Sequence, residues 1–266
     1  MYQWVCLFLM VASGCGDAAV DPTPDDTCDG LYGAPNENTG LTETQCMPRI
    51  EGTNGVWQPI VWDEETLESL RQWTLEPTPT VSSEDPYLSS EDWTPTAGQV
   101  CAVHKTIKKT YRLETHDGVE QAWAAKGIVT HGGACGLCSS LEDLAVYAAT
   151  TDLTEPVRSC GLKGLTEGLD AVDACIQEQV GFTPPCARIW AYNTQNTRNE
   201  CLDSCLSALN DPYHQEDGTL NACLQCDEDE SGPVFKGVAG RTRRNSGLAT
   251  ALCRPCDTVW QLQHKY

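Results

Sequence analysis

Apolar positions fall into three regimes along this chain. Residues 2 to 12, YQWVCLFLMVA, form one short unbroken apolar run, too short to span a bilayer as a helix. From there to about residue 100 apolar positions are sparse, as in EPTPTVSSEDPYLSSEDWTPT. One segment stands out within that region. In DEETLESLRQW, residues 63–73, Leu67, Leu70 and Trp73 recur at helical spacing behind acids in the first turn, which predicts a helix. Trp57, Trp62, Trp73 and Trp93 are large apolar surfaces that favour burial. Residues 28–100 are therefore expected to be a partly ordered arm packed on a main domain.

Beyond residue 100 the pattern becomes regular. Thr110–Thr115 and Gln121–Val129 flank His116-Asp117-Gly118, a turn signal that predicts a small β-hairpin. The chain then turns helical. Ser139-Ser140-Leu141-Glu142 has the form of a capping box opening SLEDLAVYAAT. Thr166–Val180 places Leu169, Val172, Cys175, Ile176 and Val180 on one helical face. Pro184-Pro185 opens a third helix through ARIWAYNTQNTRNECLDSCLSAL, in one piece or two. The expected fold class is α+β, mainly helical. It is a disulfide-rich single domain over 101–260, with one small β-hairpin and an acidic N-terminal arm. No internal repeat is visible.

Cysteine usage sets the compartment. Sixteen cysteines in 266 residues point to an oxidising environment and a disulfide framework. The N-terminus agrees. Ser13-Gly14-Cys15-Gly16 after the apolar run resembles a bacterial lipoprotein signal. That resemblance implies a signal peptide over 1–14, lipid on Cys15 and a solvated tether over 15–27. Two features depart from it: no Lys or Arg precedes the run, and Ala12 stands where Leu is usual. The alternative is simple cleavage near Gly14. The protein is accordingly expected to be exported, either lipid-anchored to the cell envelope (periplasmic or outer surface) or secreted. Removing Cys6 with the signal and lipidating Cys15 leaves an even number for pairing. Cys28 and Cys46 are placed to close a loop within the arm. Cys201 and Cys205 share one helical face and are expected to bridge to other elements.

Charge narrows the partners. The net charge is −21, which argues against nucleic acid and against an anionic membrane surface. A membrane is expected only through the lipid anchor. Within residues 16–100 the only basic residues are Arg49 and Arg71, so the acidity is concentrated in the arm.

Three stretches carry candidate chemistry. In HGGACGLCSSLE, 131–142, Cys138 lies beside a helix start, where unpaired N–H groups and the helix dipole lower a thiol pKa. If the glycines fold the loop back, His131 reaches Cys138 and makes it an activated nucleophile. The run G-A-C-G-L-C also resembles the active-site segment of papain-like cysteine peptidases, G-x-C-G-S-C-W. That likeness implies a bridged Cys135 and a nucleophilic Cys138. It departs at Gly132, where the family has its oxyanion Gln, and at Ser139, where it has Trp. His214 also sits in the polar turn DPYHQEDG. Other readings are a thioredoxin-type dithiol, without the expected βαβ pattern, and two half-cystines bridging elsewhere.

C-x-x-C recurs at 135/138, 223/226 and 253/256. Zinc could use such pairs, but disulfides win in an exported chain. None is followed by His, which excludes c-type haem; no cofactor is predicted, and a metal is kept as the alternative. Asp227-Glu228-Asp229-Glu230 is a carboxylate run without EF-hand spacing. It reads as a solvated acidic loop that offers Asp227 and Glu228 as catalytic carboxylates. GRTRRNSG, 240–247, carries Arg241, Arg243, Arg244 and Asn245, a set suited to gripping carboxylate, phosphate or sulfate. The alternative is that these arginines pair with Asp227–Glu230. Segments 131–138 and 226–244 are expected to approach each other.

Longer strings, CGLCSSLEDLAVYAATTDLTEPVRSCGLKG, GFTPPCARIWAYNTQNTRNEC and CLQCDEDESGPVFKGVAGRTRRNSGL, resemble a family of exported, cysteine-rich proteins of marine microalgae and some bacteria. The resemblance covers about 130–256 and implies export without implying a mechanism. The leading functional reading is an extracytoplasmic enzyme acting on a small anionic substrate. His131, Cys138, Asp227 and Glu228 would be catalytic, and Arg241, Arg243, Arg244 and Asn245 substrate-binding. One alternative is a non-catalytic, disulfide-stapled surface module for an anionic ligand. The other is a redox protein cycling Cys135 and Cys138.

Overall fold

The computed structural model describes residues 30–47 and 62–266. The signal, Cys15, the tether and Cys28 lie outside the described residues. Helix α1, Glu64–Arg71, forms as the pattern predicts. Asp63 caps it by accepting from the Thr66 N–H, and Leu67 and Leu70 are buried. Trp73 falls beyond the helix end and packs against the core.

The main sheet is built from β3 (Thr74–Leu75), β4 (Val100–Lys105), β5 (Thr110–His116) and β6 (Ile128–Gly132), in the order β3-β5-β4-β6. β4 is antiparallel to both neighbours. Its first five residues are all buried, which explains a nearly continuous apolar run in place of alternation. The hairpin is therefore β4–β5, turning through Thr106–Lys109, where Lys109 takes φ 54°. This corrects the expected hairpin about His116-Asp117-Gly118. There Gly118 instead leads into helix α2, Val119–Ala124, and β6 returns along the other edge of β4.

A helical layer follows. It comprises α3 (Leu141–Ala149), α4 (Thr154–Lys163), α5 (Leu169–Gln179) and α6 (Pro184–Ser207). Two short helices complete it, α7 (Ala222–Cys226) and α8 (Gly232–Ala239), with a π-helical turn over Asp227–Ser231 between them. The cap of α3 is Ser140, one residue later than the sequence suggests. Its hydroxyl accepts from Asp143 N–H at 2.9 Å and donates to the Asp143 carboxylate at 2.6 Å. α6 is one continuous helix with Pro in its first turn. α4 was not expected. It crosses α6 at Gly161, where a Cβ would stand 2.4 Å from Thr194 Cγ2, so any larger residue would have to displace the Thr194 side chain.

Six disulfides join these elements: Cys46–Cys253, Cys101–Cys135, Cys138–Cys186, Cys160–Cys175, Cys201–Cys226 and Cys205–Cys223. Cys256 is also disulfide-bonded. Cys201 and Cys205 reach across to α7 as two rungs, as their spacing on one face requires. Cys46 corrects an expectation: it bridges to Cys253 and does not close a loop inside the arm. A second small sheet reinforces that staple. Its strand β1 (Leu31–Tyr32) lies between β2 (Cys46–Met47) and β7 (Arg254–Pro255). The arm thus lends strands to both sheets of a single α+β domain. The disulfide density fits an extracellular or other oxidising compartment. Among the described residues no helix is long and apolar enough to cross a membrane.

Candidate ligand-binding site

The loop HGGACGLCSS folds inward. His131, at the end of β6, is fully buried. Its Nδ1 meets the Gly132 carbonyl at 2.8 Å, which assigns the ring proton to Nδ1. Nε2 then accepts from the Ser139 hydroxyl at 2.7 Å, and that same oxygen accepts from Gly136 N–H. Burial, then the Arg241 charge, push His131 well below its ordinary pKa.

Cys138 cannot act as the expected nucleophile, because it is bonded to Cys186 in the first turn of α6. Cys135 is bonded to Cys101. The thiol site, the peptidase assignment and the Cys135–Cys138 dithiol are all corrected by these two bridges. The cause is the cap position. With Ser140 opening α3, Cys138 packs inside the domain core and Ser139 takes the place beside His131. Ser139 and His131 have the hydrogen bond of a nucleophile and its base, but neither has any accessible surface. As placed, the pair holds structure.

The arginine loop divides into separate roles. Arg241 is fully buried and uses every donor on neutral acceptors. Nε reaches Cys138 O, while Nη1 reaches Thr130 O and Ser246 Oγ. Nη2 reaches Thr130 Oγ1 and Ser139 O. It is a structural clamp, which corrects its expected role in binding substrate. Asn245 is likewise structural. Its amide donates to Gly132 O and Gly240 O and accepts from Thr242 N–H. Arg243 donates to the carbonyls of Tyr147, Ala249 and Thr150, closing the last turn of α3. Segments 131–138 and 226–244 do meet, with Leu137 N–H on Val238 O and Cys138 N–H on Ala239 O. Their meeting line is a buried seam rather than a pocket.

The acidic run is also unlike a solvated loop at its start. The π-helical turn aims Asp227 at α6, where Thr197 Oγ1 and Asn193 Nδ2 donate to it. Burial raises its carboxyl pKa, and those two hydrogen bonds oppose the rise. Glu228 gathers three cations: Lys236 at 3.2 Å, Arg244 at 3.0 Å, and Arg254. Burial pushes its carboxyl up, but the charges of Arg254, Lys236 and Arg244 more than reverse this. Asp229 and Glu230 alone face solvent.

These groups line a cavity of about 410 Å³ between α4, α6, the π-helical turn, α8 and the 242–254 segment. That is within the roughly 300–1,000 Å³ of small-molecule pockets. Its lining is divided chemically. Leu162, Leu165, Leu202, Leu206 and Leu209 all line it and remain 47–62 % exposed. The cations Arg158, Arg198, Lys236, Arg243, Arg244 and Arg254 line it against two acids, Asp227 and Glu228. This inverts the charge balance of a chain at −21. The Arg198 side chain makes no ion pair or hydrogen bond among the described residues. Of the expected site residues the cavity keeps Asp227, Glu228, Arg243 and Arg244, and it excludes His131, Cys138, Arg241 and Asn245.

Sequence reasoning missed Arg158, Arg198, Lys236 and Arg254, which come from four different elements. It also missed the leucines. Leu202, Leu206 and Leu209 recur at i, i+4 and i+7, an apolar stripe that could have marked this face.

Residues 169–262, from α5 to β7 and beyond, match a protein-family model described as Family of unknown function (DUF8771). No curated protein and no solved structure matches the chain.

Proposed function

We propose that this protein is a non-catalytic, disulfide-stapled module that binds an anionic amphiphile, a carboxylate-type headgroup on an alkyl chain. The observation that carries this reading is the joint lining of one cavity by five exposed leucines and six cations. Leucines left wet around a concave surface mark a place where apolar matter docks. Guanidinium forks favour a carboxylate or phosphate over a neutral group. Glu228 holds Lys236, Arg244 and Arg254 in position beforehand, which lowers the ordering cost of binding.

This reading replaces a thiol enzyme acting on a small anionic substrate, since that mechanism needs a free Cys138 and Cys138 is bridged. The lipoprotein-type signal supports export with a lipid on Cys15, at the periplasmic or outer face, and secretion is the variant without lipid. The string resemblance supports an origin among exported cysteine-rich proteins of marine microalgae or bacteria.

Calorimetric titration of the purified protein tests the proposal with dodecanoate, dodecyltrimethylammonium and a neutral C12 glycoside below their micellar concentrations. Saturable binding of dodecanoate at one per chain, with the cationic and neutral chains much weaker, is expected. Equal binding of all three, or none of any, sinks the proposal.

A further inference from the structure

We propose that His104, Glu114 and His116 form a binding site for a divalent transition-metal ion of the zinc type. Cysteine pairs are the obvious place to look for metal in this sequence, and disulfides occupy those among the described residues that have a partner there. The donors of this other set lie on the β4–β5 hairpin, on the strand face opposite the bridged Cys101.

Register brings them together. Val100 pairs with His116, Ala102 with Glu114 and His104 with Arg112. Side chains two residues apart share a face, so His104, Glu114 and His116 project from the same side of the hairpin as diagonal and sequential neighbours. The two imidazole Nε2 atoms are 3.0 Å apart, and Glu114 Oε2 is 3.8 Å from His104 Nε2. All three ligand atoms lie within 4.8 Å of one another. Tetrahedral zinc with bonds of about 2.0–2.2 Å sets its donors roughly 3.4 Å apart, so small side-chain movements would complete the arrangement.

The surroundings suit an ion with one open side. His104 is buried and His116 nearly so, whereas the Glu114 side chain is 46 % exposed, leaving water access from that direction. The chain crosses the site at Gly127, where a Cβ would stand 2.9 Å from His104 Nε2. Glycine therefore keeps the space beside the ligating nitrogen clear. Arg112 holds Glu114 at 3.3 Å, the kind of outer contact that orients a carboxylate ligand. Two imidazoles and one carboxylate are a donor set for zinc, or for other first-row divalent ions, rather than for calcium or magnesium.

The test uses the full exported chain, stripped with EDTA and held in excess Ca²⁺ to occupy exposed acids. Zn²⁺ is titrated against a chromophoric chelator, and Co²⁺ is followed by its visible absorption bands. The expected result is one equivalent bound, with His104→Ala and His116→Ala each weakening it at least tenfold. Glu114→Gln, at an exposed side chain, guards against a variant that fails to fold, and it too weakens binding and alters the Co²⁺ spectrum. Stoichiometric binding that survives all three substitutions would overturn the proposal, as would the absence of a bound equivalent.

Discussion

Ser139 donates its hydroxyl hydrogen to His131 across 2.7 Å, and both side chains are sealed from solvent. The geometry is that of an activated serine, and the burial denies it a substrate. Ser139→Ala would strand His131 Nε2 and the Gly136 N–H without their partner. The expected cost is about 1–3 kcal/mol of stability, the penalty for unsatisfied buried polar groups. Urea unfolding would measure it. A fluorophosphonate probe should leave the folded wild-type protein unlabelled. Stoichiometric labelling at Ser139 would return an enzymatic reading to this loop.

Arg241 and Arg244 are three residues apart and should fail in different ways. Arg241 is buried with five hydrogen bonds to neutral acceptors. Arg241→Met leaves those acceptors unsatisfied, and at about 1–3 kcal/mol for each buried polar group left without a partner, roughly 3 kcal/mol or more of stability should be lost. Arg244 lines the cavity and pairs with Glu228. Arg244→Gln should leave the unfolding midpoint nearly unchanged and weaken dodecanoate by about tenfold or more, the worth of one charge-assisted hydrogen bond. If Arg241→Met alone abolished binding while folding stayed intact, the division of roles would be wrong.

That division shows where sequence stops informing. Helices α1, α5 and α6 were legible because their apolar spacing, acids and prolines agree with one another. α4 was not, because TEPVRSCGLK carries few apolar residues and holds its place through Gly161 against Thr194. The hairpin was misplaced because Asp117-Gly118 is a true reversal signal, but VEQAWA behind it prefers a helix. The arginine cluster was visible as an anomaly in an acidic chain. Which arginine turns inward is decided by Gly240, at φ 73°, and by a short helical turn at 244–246. The cations that share Glu228 with Arg244 come from α8 and β7, a convergence only the tertiary fold creates.

Of the two bridges between α6 and α7, one lies in the wall of the cavity. Cys205 and Cys223 both line it, and Cys201–Cys226 lies one turn away. Replacing Cys205 and Cys223 together by Ser opens a loop of 18 residues nested inside the Cys201–Cys226 bridge, so the loss is at most about 3 kcal/mol by loop entropy. Thermal unfolding should report that loss, and dodecanoate affinity should fall with it. In the wild-type protein, mass spectrometry without reduction should recover the peptide holding Cys135 and Cys138 only as a cross-link to the Cys101 and Cys186 peptides. A Cys138 peptide that reacts with a thiol reagent in the native protein would contradict the structure.

Acid sensitivity should trace to buried histidine. His264 accepts or donates on both ring nitrogens, to Ser246 O at 2.7 Å and Tyr266 Oη at 2.9 Å. Burial, against the Ser246 hydrogen bond and aided by the Arg241 charge, lowers its pKa from 6.5 to about 3. The folded protein therefore keeps this ring neutral where the unfolded chain protonates it. Above the unfolded value of about 6.5 neither state is charged and His264 adds no pH dependence. As the pH falls from there towards 3, the unfolded state gains the proton first and stability declines. Asp143, raised to about 6 chiefly by burial, acts in the opposite sense over part of that range. A comparison between wild type and His264→Gln cancels Asp143, since both proteins carry it. Urea unfolding at pH 7, 6, 5 and 4 should show a shallower acid decline in the variant, by up to about 1.4 kcal/mol per pH unit for one proton. Parallel pH profiles for the two proteins would mean that His264 titrates alike in the folded and unfolded states.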